Sequence, residues 1–444
     1  MKRVFIANRG EIAVRIVRAC RSLGLECVVG CSNVDRDGLA ARLADQAVTI
    51  GPGPARDSYL RADLVVQAAL GTGCDAIHPG YGFLAESVAL SSLAQEHGLA
   101  FVGPPVEVMA LTGDKLRARE AAREAGLPVL PGREVASVAE AARVAAEIGF
   151  PVLLKAAGGG GGRGIKLVRE PGELDGVFAL ARAEAGAAFG DERVYVERFI
   201  AAARHIEVQI AGDVEEVVDL GERDCSVQRR YQKIIEEAPA RLSGGAREAI
   251  RAAAVSLGRE LGYRNLGTVE FVVDAATEEF YFLEVNCRIQ VEHPVTEIVV
   301  GRDLVALQLT LAGAGGGRLG FGQDDVHIDG HAIECRLCAE DPVHEYRPSP
   351  GRLSMFFVPE AEGLRVDTHC FAGAEIPPFY DSLMAKLIGF GEDRASAVAV
   401  LLDALEDVDV DGVETNRALL IGVLGHPEFL AGPVATDWLG RVVA

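Results

Sequence analysis

The sequence predicts an α/β protein of several domains that begins with a doubly wound, mainly parallel sheet. The chain has 444 residues, which at ~100–200 residues per domain is enough for several full-sized cores. Residues 4–7 form a buried-strand run that leads through a tight turn into apolar residues at helical spacing. Two further strand-like segments, 151–156 and 165–168, flank a run of glycines.

Composition narrows the class of protein. About half of the residues are hydrophobic (49%) and 25% are charged, as in ordinary globular proteins, so disorder is excluded. The net charge of −21 disfavours nucleic acid and anionic membranes as partners. No secretory signal or membrane-length apolar run is present, and the nine cysteines are scattered, so we expect a cytoplasmic protein with reduced thiols in its core. Lysine is scarce: it occurs at only six positions.

The first domain is predicted from alternating strands and helices. After the opening strand, helical spacing runs from residue 12 to residue 23, and short strands are predicted at 26–31, 75–77 and 99–102. This rhythm ends near Gly113. A new strand at 151–156 then indicates a second domain, and the turn residues at 348–351 open a last, mixed region.

The glycine run at 158–162, with Gly164, is predicted to be a hairpin loop. A P-loop or a dinucleotide-binding fingerprint requires a helix after the glycines, whereas here a strand-like segment follows. A flexible linker is the alternative. We expect backbone N–H groups of Gly160, Gly161 and Gly162 to close over phosphates as a lid, with Lys155 at the root of the hairpin.

Residues 284–292 alternate strictly between polar and apolar side chains, which predicts a strand with one polar face. A solvated face is the alternative, but the preceding strands are apolar on both faces and enclose a carboxylate that needs a partner. Carboxylate and amide oxygens suit Mg²⁺ or Mn²⁺ beside phosphates. The candidate metal ligands are Glu270, Glu284 and Asn286, with Arg288 as a clamp for a planar oxyanion and Glu292 as a base.

Two other segments offer candidate groups. His205 and Glu207 share one face of an alternating segment; a half-exposed strand is the favoured interpretation, and only His205 is kept, as a phosphate contact. Residues 222–239 form a locally basic stretch that suits anionic substrates, although a solvated charged face would also explain it.

Taken together and in order, eight segments resemble the biotin carboxylase family of ATP-grasp enzymes. They are residues 6–13, 78–84, 113–115, the glycine run, 223–226, 288–297, 334–336 and 348–351. The resemblance covers essentially the whole chain. It implies an ATP-grasp fold with an N-terminal doubly wound (Rossmann-like) domain at 1–113, an ATP-grasp domain at 114–325 with a glycine-rich lid subdomain at about 131–203, and a C-terminal mixed α+β domain at 326–444.

The resemblance also implies roles for individual residues. ATP would be bound by Lys115, Lys155, Glu197, His205 and Gln228, and two metal ions by Glu270, Glu284 and Asn286. Bicarbonate would be held by Lys233, Arg288, Gln290, Val291 and Glu292, with Glu292 as the base. Arg336 would stabilise the enolate of biotin.

The activity implied by the resemblance is ATP-dependent carboxylation of biotin with bicarbonate through carboxyphosphate, the first half-reaction of an acetyl-CoA or other acyl-CoA carboxylase. Lys386 lies near Met384, as a biotinylated lysine would, but its apolar strand-like surroundings predict a core residue. We therefore expect the biotin carrier and the carboxyltransferase on separate chains, and a homodimer. Another ATP-grasp carboxylate ligase, or a catalytically silent scaffold, are the alternatives.

Overall fold

The computed structural model describes residues 1–156, 165–313 and 316–442. Its N-terminal region is a five-stranded parallel sheet in which the strands lie in the order third, second, first, fourth, fifth. Val4 and Ile6 pack into one core while Phe5 packs into another, so both faces of this sheet are covered, as a doubly wound sheet requires. In chain order the strands are Arg3–Ile6, Glu26–Ser32, Gln46–Gly51, Ala76–His78 and Ala100–Phe101. The helices are Gly10–Ser22, Leu39–Leu43, Ala62–Gly71, Val88–Glu96 and Val106–Thr112, with a 3₁₀ turn at Ala55–Asp57.

A four-stranded antiparallel sheet, the lid sheet, follows helix Lys115–Glu124. The strands on either side of the glycine run pair directly, with Val152 opposite Val168 and Lys155 opposite Ile165, so the run connects adjacent antiparallel strands as predicted. Gly160, Gly161 and Gly162 themselves lie outside the described residues. The lid strands are Gly132–Val135, Val152–Ala156, Ile165–Val168 and Val194–Arg198, with helices Val138–Ile148 and Leu174–Phe189 and a 3₁₀ turn at Pro171–Glu173.

The largest element is an eight-stranded antiparallel sheet, the central sheet. Ala238 pairs with Ala332, so the strands before and after residue 326 form one continuous sheet. In spatial order its strands are Phe280–Asn286, Asn265–Asp274, Ala203–Gly212, Val217–Arg229, Gln232–Ala238, His331–Cys338, Leu383–Gly391 and Leu364–Thr368. The α/β prediction is confirmed.

Helices and short strands surround the central sheet. The helices are Gly244–Glu260, His293–Val300, Leu304–Leu311, Arg394–Asp407, Arg417–Leu424, Pro427–Ala431 and Trp438–Val442, with 3₁₀ turns at Gln323–Asp325 and Pro342–His344. Three two-stranded sheets pair Glu340–Asp341 with Arg347–Pro348, Gly351–Arg352 with Glu375–Ile376, and Met355–Phe357 with Asp409–Asp411. Among the residues the structure describes, no helix has the length and apolar character needed to cross a membrane.

The predicted strand over 284–292 is wrong beyond Asn286. The strand ends there, and the chain turns before helix His293–Val300 begins with Pro294 near its N-terminus. Because proline fixes its φ and restricts the residue before it, this position favours a helix start over continued strand. The polar side chains of 288–292 still converge, since the turn brings them against the neighbouring strands.

Candidate functional site

Five charged side chains meet in a cleft on the central sheet and form what we call the cleft cluster: Glu207, Lys233, Glu270, Glu292 and Arg336. The Lys233 ammonium lies 2.6 Å from Glu207, 3.1 Å from Glu270 and 2.8 Å from Glu292. Arg336 reaches the other carboxylate oxygen of Glu292 at 2.9 Å. Four of five consecutive strands and the turn after Asn286 supply these groups, so the sheet register fixes their separation.

The cleft cluster controls the charge of Glu292. Its side chain is 1% exposed. Burial would raise the pKa of the Glu292 carboxyl, but Lys233 and Arg336 together hold it well below its usual range. Burial likewise opposes the charge of Lys233, and the surrounding anionic groups raise its pKa well above normal. Glu292 is therefore ionised, as a general base must be before it accepts a proton, and it lies between two cations.

Arg288 is held in place by four groups. Its guanidinium donates to Gln290 Oε1 at 2.7 Å, to Asn286 Oδ1 at 2.9 Å and to Glu86 Oε2 at 3.2 Å, and also to the Ile289 carbonyl at 3.2 Å. The other oxygen of Glu86 accepts from the backbone N–H of residue 287 at 3.1 Å. Glu86 comes from the N-terminal region, so an acidic side chain of one region orients the arginine of another.

The three predicted metal ligands lie together. Glu270 and Glu284 face each other in the strand register, and Asn286 Nδ2 donates to Glu270 at 2.8 Å. His205 Nε2 lies 2.9 Å from Glu270, and burial notwithstanding, Lys233 and His205 hold the pKa of Glu270 well below its usual range. The ionised Glu270 carboxylate, with the Glu284 carboxylate and the Asn286 amide oxygen beside it, fits a divalent cation such as Mg²⁺.

The predicted nucleotide contacts line the same cleft on the lid side. Lys115 lies 3.4 Å from Glu284, so a lysine adjoins the metal-ligand carboxylates. Lys155 forms a buried ion pair with Glu197, which also pairs with Arg119. Sequence analysis missed Arg119 because it lies in an Ala-rich helix whose pattern indicates only an amphipathic surface.

Two other predicted contacts take part in the same network. Gln228 Nε2 lies 3.0 Å from His205 Nδ1, so His205 bridges the nucleotide contacts and Glu270. Gln290 donates to Glu270 at 3.0 Å. The backbone carbonyl of Val291, another predicted contact, accepts a hydrogen bond from Lys386 at 2.8 Å. The 157–164 loop that carries the three candidate glycines lies outside the described residues.

The half-exposed interpretation of the His205 segment is wrong. Glu207 is fully buried and pairs with both Lys233 and Arg223. Groups from other parts of the chain enclose the Glu207 side chain: Arg223 donates to it and also to Thr296 of helix His293–Val300. Alternation within one segment cannot reveal such contacts.

The basic stretch divides into different roles. Arg223 is buried beside Glu207, whereas Arg230 is exposed and pairs with Glu345. Arg229 pairs with Glu340. Within the described part of the chain, only Lys233 of these four cations belongs to the cleft cluster. The stretch also holds four acidic side chains, so it carries no net charge, and the position of each cation decides its role.

Comparison with family models assigns most of the chain to three regions. Residues 1–109 match the biotin carboxylase N-terminal domain, residues 114–318 the ATP-binding domain of the carbamoyl-phosphate synthase L chain, and residues 334–441 the biotin carboxylase C-terminal domain. The chain is 46% identical to a biotin carboxylase of Nostoc, covering 98% of each chain. It is 45% identical to biotin carboxylase 1 of Bacillus subtilis, covering 99% of this chain and 98% of that one.

Solved structures are similar over the same length. The biotin carboxylase domain dimer of Hydrogenobacter thermophilus 2-oxoglutarate carboxylase, in complex with MgADP, ADP and bicarbonate, has a TM-score of 0.95 and 43% identity, covering 99% of this chain and 97% of that one. A Campylobacter jejuni biotin carboxylase–β,γ-ATP complex has a TM-score of 0.94 and 39% identity, covering 99% and 98%. Rhizobium etli pyruvate carboxylase matches with a TM-score of 0.93 and 40% identity, and its match covers all of this chain but 40% of that longer one.

Proposed function

The chain belongs to the biotin carboxylase family, and from this premise we propose that the cleft cluster carries out the chemistry of the reaction. The enzyme carboxylates biotin with bicarbonate at the expense of ATP. The observation that carries the proposal is the position of Lys233, whose one ammonium contacts both Glu270, a proposed metal ligand, and Glu292, the proposed base. One cation thus joins the ATP side of the cleft to the bicarbonate side.

Bicarbonate binds between Lys233, Arg288 and Glu292 in this proposal. The Arg288 guanidinium, oriented by its neighbours, pairs with two oxygens of the anion, which is the geometry that arginine favours for planar oxyanions. Glu292 begins as a weak base because two cations hold its pKa low. The incoming negative charge of bicarbonate raises that pKa, so that Glu292 takes the proton as the anion binds.

ATP occupies the lid side. Lys115 and Lys155 contact its phosphates, and His205 and Gln228 complete the network. Glu270, Glu284 and Asn286 would hold the divalent cations. When bound, these ions supply positive charge to the transferring phosphoryl group. Deprotonated bicarbonate attacks the γ-phosphorus, the bond to the ADP oxygen breaks, and carboxyphosphate forms.

Biotin is carboxylated in the second step. Carboxyphosphate breaks down to CO₂ and phosphate, and the phosphate removes the ureido N–H proton of biotin. The nitrogen then forms a bond to CO₂, while Arg336 stabilises the enolate oxygen that carries the negative charge. Holding these reactants together in the right orientation is worth up to roughly 7–11 kcal/mol of the barrier. A closed site also excludes water, which would otherwise react with the intermediates.

The test of this function is the cleavage of ATP with and without each substrate. We expect ADP formation to require bicarbonate and to rise when free biotin is added. A catalytically silent chain would show no dependence on either, and a different ATP-grasp ligase would not respond to biotin. Either of these results would contradict the assignment.

The assembly is also part of the proposal. The carrier that bears biotin and the carboxyltransferase are expected on separate chains, the acceptor being an acyl-CoA or a related acid, and the chain itself is expected to be a homodimer. The Hydrogenobacter relative, a domain dimer, supports the last point. Co-purification of native partners and sedimentation of the isolated chain test these statements. The division into 1–113, 114–325 and 326–444 remains a proposal, testable by limited proteolysis.

A further inference from the structure

A second carboxylate, Glu236, holds Arg336 together with Glu292. The Nη2 atom of Arg336 lies 2.9 Å from Glu292 and also forms an ion pair with Glu236. The Glu236 side chain is completely buried, whereas Arg336 is 17% exposed toward the cleft. In both contacts the closest atom of Arg336 is Nη2.

The sheet register places Glu236 where it can act only through Arg336. Glu236 lies directly opposite Glu334 on the neighbouring strand, and Arg336, two residues further along, shares that face as its diagonal neighbour. Glu334 is also fully buried, and in the described part of the chain neither of its oxygens accepts a hydrogen bond. Arg336 is the cation paired with Glu236, whereas the charged form of Glu334 is favoured by Lys386 and, less strongly, by Arg336.

The charges around Glu236 determine whether its carboxyl group is ionised and can pair with Arg336. The pKa of Glu236 is raised to about 7: burial is the main cause and Glu292 adds to it, while the Arg336 guanidinium opposes the shift. The remaining charged groups that face Glu236 are Lys233 and Glu334. A buried carboxylate of this kind depends on its one close cation, so the position of Arg336 and the charge of Glu236 are coupled.

We propose that Glu236 is a positioning residue that keeps Arg336 in the cleft after Glu292 has taken the proton of bicarbonate. The inference rests on the proposed function. Protonated Glu292 no longer attracts Arg336 as an anion does. Glu236 is then the remaining anionic partner, and it holds Arg336 near the biotin enolate rather than letting it turn away. Glu236 touches no substrate, so it contributes to the second step through Arg336 alone.

The variant Glu236→Gln separates the two steps. We expect carboxylation of free biotin to fall by roughly 10- to 100-fold, the range produced by a misplaced catalytic group. Bicarbonate-dependent ADP formation without biotin should stay close to the parental rate, because Lys233, Arg288 and Glu292 are unchanged. The diagnostic quantity is the ratio of carboxybiotin to ADP, which a merely destabilised protein would not alter.

Glu237→Gln is the matched control. Glu237 is the next residue on the same strand, is also buried, and pairs with His331 and Arg394 instead of the cleft cluster. We expect this variant to keep the parental ratio. Glu236→Asp keeps the charge and should recover part of the ratio; it also carries the test if the Gln variant does not fold.

Two results would overturn the inference. One is a Glu236→Gln enzyme with the parental ratio of carboxybiotin to ADP; the other is a Glu236→Asp enzyme whose ratio is as low as that of the Gln variant. A parental enzyme whose ATP cleavage ignores bicarbonate and biotin would instead contradict the proposed function. The two failures are therefore distinguishable.

Discussion

Two buried lysines, Lys233 and Lys386, show how similar charge pairs serve different purposes. Lys233 contacts three carboxylates of the cleft cluster and keeps 14% of its side chain exposed. Lys386 is fully enclosed, as the sequence predicted; its ammonium lies 3.2 Å from Glu11 and donates to the Val291 carbonyl at 2.8 Å. Both lysines have their charge stabilised by carboxylates against the cost of burial.

The difference is whether the charges face a space that a substrate can enter. Lys233 and Arg336 keep 14% and 17% of their side chains exposed, so an anion can reach the cluster and replace protein contacts. Lys386 instead joins the first turn of helix Gly10–Ser22, through Glu11, to the backbone just before Glu292. Burial and charge alone therefore do not identify a catalytic lysine. A catalytic lysine is identified by whether a substrate can reach its charge.

The largest effect is expected from Lys233→Met. This variant removes the cation shared by Glu270 and Glu292, so the base loses its partner and bicarbonate loses a binding group. We expect bicarbonate-dependent ADP formation to fall by roughly 10³-fold, the upper range for one charge-stabilising group. Arg230→Met is the matched control, since Arg230 lies on the same hairpin but is exposed. If the Lys233→Met enzyme formed ADP at the parental rate, Lys233 would not belong to the catalytic machinery.

Lys386→Met should act on stability instead. Removing one partner of a buried ion pair costs about 3–5 kcal/mol of the free energy of unfolding, because Glu11 is left without its cation. Chemical denaturation measures this loss. Activity per folded molecule should fall much less than with Lys233→Met. Equal losses of activity in the two variants, at unchanged stability, would show that Lys386 belongs to the catalytic machinery.

Arg336→Ala sharpens the comparison within the cleft. Arg336 shares Glu292 with Lys233, yet its proposed role begins only when biotin is present. We expect biotin carboxylation to fall by roughly 10²-fold. ADP formation without biotin serves as the internal control and should fall far less. Parental rates of carboxylation in this variant would show that Arg336 does not stabilise the enolate.

The smallest predicted effect is a pH dependence of the stability that Asp367, a neighbour of Lys386, supplies. Although burial opposes it, Arg365 and Lys386 lower the pKa of Asp367 to about 2 from 3.8. The stability that this shift supplies is fully present above the unfolded pKa and is lost as the pH falls toward 2. It amounts to about 2 kcal/mol at neutral pH.

Unfolding of the parental chain and of Asp367→Asn between pH 5 and pH 2 measures this contribution. The difference in stability between the two proteins should shrink by about 2 kcal/mol as the pH falls. A difference that stays constant across this range would mean that Asp367 does not titrate as described.

Much of the candidate site could be predicted from the sequence, because several of its polar side chains alternate with apolar ones along a strand. Strand periodicity, which places side chains on one face, identifies Glu284 and Asn286, and Glu270 is identified as a carboxylate enclosed by apolar strands. Periodicity could not show that the strand ends at Asn286, since the following helix start and tertiary contacts redirect the chain.

The supporting residues could not be predicted in the same way. Glu86 reaches Arg288 from 202 positions earlier in the chain, and Glu236 differs from its neighbour Glu237 only in which face of the sheet it occupies. Such partners depend on packing between regions. A local pattern of polar and apolar residues does not contain that information.

The most direct test of the central claim is the transfer of labelled carbon from bicarbonate to free biotin in the presence of ATP and Mg²⁺, by the parental enzyme and by Lys233→Met. We predict that the parental chain forms carboxybiotin only when all of these components are present, and that Lys233→Met forms almost none although it is folded. Parental label transfer by folded Lys233→Met would contradict the claim that the cleft cluster performs the reaction.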